Sequence, residues 1–250
     1  MPTSYRALCS DFYINLKMNV RMELPSNREP VLDLFERVRR SYPAMNAFRR
    51  YKDELALESA ANATPHQWMA IRTSSVRAGV VNPSTEEEMY GLHRVAAEVS
   101  PYYLSISPLD LEYIELLYGF DLQASGNHNA IVAASLLAGS PMASLVGSDD
   151  VRVTDCQPMV GMSMTDESGL EAHFEVKTRS KKTRSEAGGT PGSEPISVYL
   201  TLRKYDPVTN LDNLVGQLNE LVERGQQLVD EHAVPNLLMP LREEIASSSF

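Results

Sequence analysis

The stretch FYINLKMNVRMEL at residues 12–24 alternates without a slip. Phe12, Ile14, Leu16, Met18, Val20, Met22 and Leu24 stand against Tyr13, Asn15, Lys17, Asn19, Arg21 and Glu23. A period of two is that of a β-strand with one buried face, so the segment predicts a strand with its apolar row turned inward. Pro25 stops it. Ser26, with Glu29 three positions on, forms a capping-box signature for a helix whose apolar stripe is Val31, Leu34, Phe35 and Val38.

Beyond Tyr42 and Pro43, a short strand is expected around Leu55 and Leu57. After a turn at 63–65 a second strand runs from Gln67 towards Val81, and the two read as a hairpin. Ser84 and Glu87 repeat the capping box ahead of Met89, Leu92, Val95, Ala96 and Val99 at helical spacing. A long strand then covers 109–122. It is apolar on one face at Ile114, Leu116, Tyr118, Phe120 and Leu122, and on the other at Leu109, Leu111, Tyr113 and Leu117, as a central strand would be.

The order strand, helix, strand, strand, helix, strand resembles the split βαβ arrangement of ferredoxin-like domains. The resemblance is one of element order alone and carries no activity with it. The expected fold is therefore α+β, in two lobes. A ferredoxin-like (βαββαβ) lobe with an antiparallel sheet spans 1–123, and an α-βββ-α lobe packed by a long terminal helix spans 124–250.

In that second lobe a small-residue helix covers 126–139, started by Asn127 or Asn129, and strands follow near 151–164, 170–177 and 196–203. The last two alternate cleanly and should pair. Residues 180–195 are rich in Gly, Ser, Thr, Pro and charge and predict a mobile hairpin loop. An apolar stripe from Leu211 through Leu218 and Leu221 to Val229 predicts a long helix. Pro235 is expected to interrupt it before a last turn or two at Leu237, Leu238, Leu241 and Ile245.

Twenty-three Lys and Arg against thirty-three Asp and Glu give a net charge of -10 in 250 residues, which disfavours nucleic acid and anionic lipid as partners. Cys9 and Cys156 lie far apart and match no zinc or redox spacing, so free thiols are expected. With no apolar run long enough for a bilayer or a signal peptide, the sequence predicts a cytoplasmic protein without a membrane partner.

Neither a P-loop, a dinucleotide fingerprint, a zinc-protease motif nor a nucleophile elbow is present, and no cofactor is expected. Three clusters remain. Glu171, His173 and Glu175 project to one side of a strand and could converge on a cation, but pairing with Tyr199, Thr201 and Arg203 across the sheet is the simpler reading, and no metal site is expected. Gly126-Asn127-His128-Asn129 opens a helix, where an anion could meet backbone N–H groups and His128 or where the asparagines simply cap. Lys177, Arg179, Lys181, Lys182 and Arg184 place five cations within eight residues, without aromatics, where a solvated loop is the simpler reading and a contact for a polyanion or an acidic partner the other.

The function expected from these features is a non-enzymatic binding or assembly protein acting as a homo-oligomer. Its partner would be itself or another protein, met through a sheet face or the terminal helix. The alternative is an enzyme acting on a small anionic substrate at a pocket between the lobes, with His128 or His173 and a carboxylate as acid and base.

Overall fold

In strand β1 (Asp11–Val20) every second side chain is buried, and both edges of the strand are hydrogen bonded. The computed structural model describes residues 5–25, 28–146, 151–165, 169–178, 194–205 and 209–248. Antiparallel neighbours extend outward from β1 on each side: β5 (Ser75–Val81), β4 (His66–Arg72), β3 (Glu54–Glu58) and β2 (Ala47–Arg50) one way, and β6 (Leu111–Leu122), β9 (Ile196–Tyr205), β8 (Leu170–Thr178) and β7 (Met159–Ser163) the other. The result is one nine-stranded antiparallel sheet. The boundary expected at 123 falls just after β6, yet β6 pairs with β9 from Tyr113 to Leu122, so both halves of the chain contribute to the same sheet.

Helices lie against the face that holds Phe12, Ile14, Leu16 and Met18. Helix α2 (Glu86–Tyr103) packs on β1 and β5, and α1 (Arg28–Ser41) packs on α2 through Val31, Leu34, Phe35 and Val38. Helix α3 (His128–Leu136) meets β8. The terminal helix begins as α4 (Leu214–Leu228) against β6 and β9, where Gly225 lets it close on the Tyr118 ring: a Cβ there would lie 2.5 Å from Tyr118 Cε2.

Pro235 does not interrupt this helix. Residues Val229–Leu238 form a π-helical stretch that runs straight into α5 (Met239–Ser247). Proline has no N–H for the preceding turn, and the wider spacing accommodates it. Met239 donates to Val234 O five residues back, and the Asn236 side chain donates to His232 O at 3.0 Å. No helix among the described residues is long and apolar enough to cross a membrane.

Several boundaries differ from expectation for identifiable reasons. The first strand stops at Val20, where the register with β6 shifts, although Leu24 stays buried as the alternation requires. The segment 67–81 is two strands, β4 and β5, folded back at Thr73 and Ser74, and β2 pairs outside β3. Thr85, one residue later than expected, caps α2: its Oγ1 accepts from Glu88 N–H at 3.1 Å, while the Glu88 carboxylate accepts from Ser84 N–H at 2.6 Å. Leu109 is exposed, because Asp110 draws Ser107 into a turn ahead of β6. Ser26 lies outside the described residues, as does most of the 180–195 loop.

His93 on α2 is fully buried against the sheet, and neither ring nitrogen makes a hydrogen bond of good geometry. Burial pushes its pKa down to about 4 from 6.5; the nearby backbone of Ile14 and Ala78 opposes the shift and Arg94 adds to it. Between those two values the unfolded chain binds a proton that the folded chain refuses. The His93 contribution is therefore intact above pH 6.5 and is lost as pH falls towards 4, amounting to about 3 kcal/mol in all. Urea unfolding measured across that range should show stability rising with pH in the native chain and a distinctly flatter profile in His93→Leu.

Candidate functional site

With the helices on one side, the opposite face of the sheet is covered by no described helix, and its side chains are ordered in lanes across the strands. One lane runs Trp68, Gly79, Asn15, Leu117, Thr201, His173, Gly161 in register across seven strands. The next places Tyr13, Gly119, Tyr199 and Glu175 side by side. A third carries Lys17, Glu115, Arg203 and Glu171, alternating in sign.

Three rings in these lanes lie on glycines of neighbouring strands. A Cβ at Gly119 would overlap the Tyr13 ring, one at Gly79 would overlap Trp68, and one at Gly161 would sit 2.8 Å from His173 Cδ2. A ring laid over a cross-strand glycine shields bare backbone and is itself held flat, which offsets the cost of glycine in a strand.

Polar groups between the rings are partnered. The Tyr13 hydroxyl lies 3.2 Å from that of Tyr199 and 3.3 Å from Asp121 Oδ1, which also accepts from Ser197 Oγ at 2.6 Å. Burial, the Tyr199 hydrogen bond and the Asp121 charge push the Tyr13 phenol far up, so it stays protonated and supplies no base. Arg203 makes two bonds to Glu115 Oε2, at 2.6 and 2.9 Å, and stacks on Tyr113 with 4.6 Å to the ring centroid. Lys17 donates to the Tyr113 hydroxyl at 2.6 Å.

The residues singled out from the sequence divide in three. Glu171, His173, Glu175, Tyr199 and Arg203 all lie on this face, with Glu171 opposite Arg203 and Glu175 opposite Tyr199. Arg203 nevertheless bonds to Glu115 on β6 and to the Tyr205 hydroxyl, not to Glu171. Among the described residues no three His, Cys, Asp or Glu side chains are grouped so as to hold a metal. Lys177 is paired with Glu175 at 3.0 Å and sits over the Tyr199 ring, whereas Arg179, Lys181, Lys182 and Arg184 lie outside the described residues. The glycines beneath the rings were not singled out. Their signal is glycine inside a strand pattern at Gly79 and Gly119.

Asn127, His128 and Asn129 spend their polar groups within the chain. Asn127 Oδ1 accepts from the N–H groups of Asn129 and Ala130, capping α3, and its Nδ2 donates to Val153 O at 2.9 Å. His128 Nε2 lies 3.0 Å from Ala124 O. Asn129 is buried; its Oδ1 accepts from Cys156 N–H and from the Thr178 hydroxyl, and its Nδ2 donates to Thr154 O. The two amides therefore clamp residues 153–156, the approach to β7, onto the start of α3.

Among the described residues two clefts stand out. The larger, about 560 Å³, lies beside β2 and β3 and is lined by Arg28, Arg50, Lys52 and Arg72 along with Glu23, Asp53 and Glu54. A smaller one of about 330 Å³ joins Cys9 and Ser10 to Leu122 and Arg242. Burial pushes the Cys9 thiol up to about 12, so no thiolate stands there at neutral pH. Neither described lining includes His128 or His173. Both cysteines are free.

Compared with models of known families and with curated proteins, the chain matches none.

Replacing Asn129 with alanine would remove three partners' bonds at once, that of the buried Thr178 hydroxyl among them. Asn129→Ala should lower unfolding free energy by roughly 3 kcal/mol in urea titration and should speed amide exchange at 153–156 before the rest of the chain.

Proposed function

We propose that the chain is a non-catalytic binding protein that acts as a homo-oligomer and receives a protein partner on the uncovered sheet face. The observation that carries this reading is the set of three rings laid on Gly119, Gly79 and Gly161. They form a flat surface with little side-chain freedom left to lose on docking. Tyrosine, tryptophan and arginine, in which binding energy concentrates at protein interfaces, are all present on it. Charges in the Lys17-Glu115-Arg203-Glu171 lane alternate in sign, and the chain is acidic overall, which favours a protein surface over a phosphate backbone.

In the same reading β1, α1, β4, β5, α2 and β6, with strand order β4-β5-β1-β6, make a split βαβ unit of ferredoxin-like kind. Residues 124–250 form the second lobe, added along its β6 edge. Free Cys9 and Cys156 suit a cytoplasmic setting.

A photo-crosslinking amino acid at Leu117, in the middle of the face, tests the reading in living cells against a control at Tyr102, exposed on α2. Protein adducts at position 117 and not at 102 are expected. Equal yields at both positions, or adducts to nucleic acid, would sink the proposal.

The larger cleft favours a second reading, an enzyme or binding site for a small anion held by Arg28, Arg50 and Lys52, while Arg72 is paired with Glu54 at 2.7 Å. Calorimetric titration with inorganic phosphate at low salt should then show binding that Arg50→Ala weakens about tenfold or more, as expected for loss of a charge-assisted contact. A native chain that gives no heat removes this reading.

A further inference from the structure

The two margins of the sheet are unlike. β2 closes one side with Arg49 and Arg50 in a four-residue strand, and charge on a short edge discourages pairing with another chain. β7 closes the other with Met159, Val160, Gly161, Met162 and Ser163, all exposed and none charged. Among the described residues no strand lies beyond it. Six of the eleven large exposed hydrophobic residues described, from Met142 to Met162, fall within 141–163, so uncovered apolar surface is concentrated in the segment that carries this edge.

The hydrogen-bond phase of β7 fixes which groups are free. Met164 donates to Leu170 O and Val176 donates to Pro158 O, so the even-numbered residues turn their backbone groups to β8. The N–H and C=O groups of Met159, Gly161 and Ser163 therefore point outward, a template for one more strand. Side chains follow the same alternation. Val160 and Met162 stand on the helix side opposite Phe174 and Ala172, where the core layer thins and Phe174 is only partly buried.

We propose that β7 pairs with β7 of a second copy, antiparallel about a two-fold axis at Gly161. This rests on the homo-oligomer part of the proposed function and is independent of what the open face binds. In that register Gly161 faces its counterpart and Met159 faces Ser163 of the other copy. Those are the residues whose backbone groups point outward, so each facing pair exchanges two hydrogen bonds. Val160 faces Met162 of the other copy at the non-hydrogen-bonded positions, where side chains come closest.

Both apolar pairs lie on the helix side and extend one buried layer across the junction. A chain of net charge -10 repels its copy over most of its surface, and an uncharged strand is where two copies meet without opposing like charges. The two-fold arrangement closes at two copies.

Sedimentation velocity at micromolar concentration decides the matter. The native chain should be a dimer. Val160→Glu alone and Met162→Lys alone should each be monomeric with an unchanged circular dichroism spectrum. Mixed together they should form a dimer again, because the introduced charges face each other. Ser163→Pro, which deletes an outward N–H and leaves the β8 bonds intact, should also give monomers and covers the case in which a charged variant does not fold.

A native chain that forms open-ended oligomers, or Val160→Glu and Ser163→Pro proteins that stay dimeric, would overturn the β7 route while leaving self-association standing. A monomeric native chain would remove both, without touching the crosslinking result at Leu117.

Discussion

The position of β1 is over-determined, and the rest of the sheet takes its register from it. Hydrogen bonds on both edges hold Tyr13 opposite Val81 on one side and Gly119 on the other. A slip of one residue against either neighbour would carry Phe12, Ile14, Leu16 and Met18 to the open face and bring Lys17 and Asn19 under the helices. The cost of burying those polar groups is several kcal/mol. With β1 fixed, β5 and β6 have one register each, and the lanes of the open face follow from theirs.

The second half of the chain joins this frame through the sheet and through helix α4, which packs on β6 and on α2. In the sheet the joint is the ladder between β6 and β9, paired at ten positions from Tyr113 to Leu122. Within the second half, the asparagine pair at the start of α3 holds the approach to β7 through side chains. The approach to the outer edge thus depends on a few amide bonds, while β7 itself is paired with β8 at five positions. A ladder of ten pairs tolerates a lost contact, whereas a clamp made by Asn127 and Asn129 does not.

What could be read in the sequence was whatever local chemistry decides. Phe12 to Val20, the α1 stripe and the shared face of Glu171, His173 and Glu175 follow from periodicity alone. The fold-back at Thr73 was hidden because Gln67 to Val81 alternates on both sides of a tight turn. Pro235 looked like a stop because a π-helical turn has no signal in composition. Glu171, His173, Glu175, Tyr199 and Arg203 do share one sheet face, but Arg203 bonds to Glu115, 88 residues earlier. Likewise no reading of Gly119 could find Tyr13 above it, since that contact exists only once the register of β1 against β6 is set.

The rings that rest on glycines also restrict how this surface can change over time. Any side chain at Gly119 evicts Tyr13, and loss of Tyr13 uncovers a stretch of backbone that only a larger residue at 119 could shield again. Neither replacement is tolerable as a first step, so the two positions drift together or not at all. A lineage of this chain should therefore preserve ring and glycine as a unit, swapping both in concert where it swaps either, while ordinary exposed positions such as Leu109 wander singly.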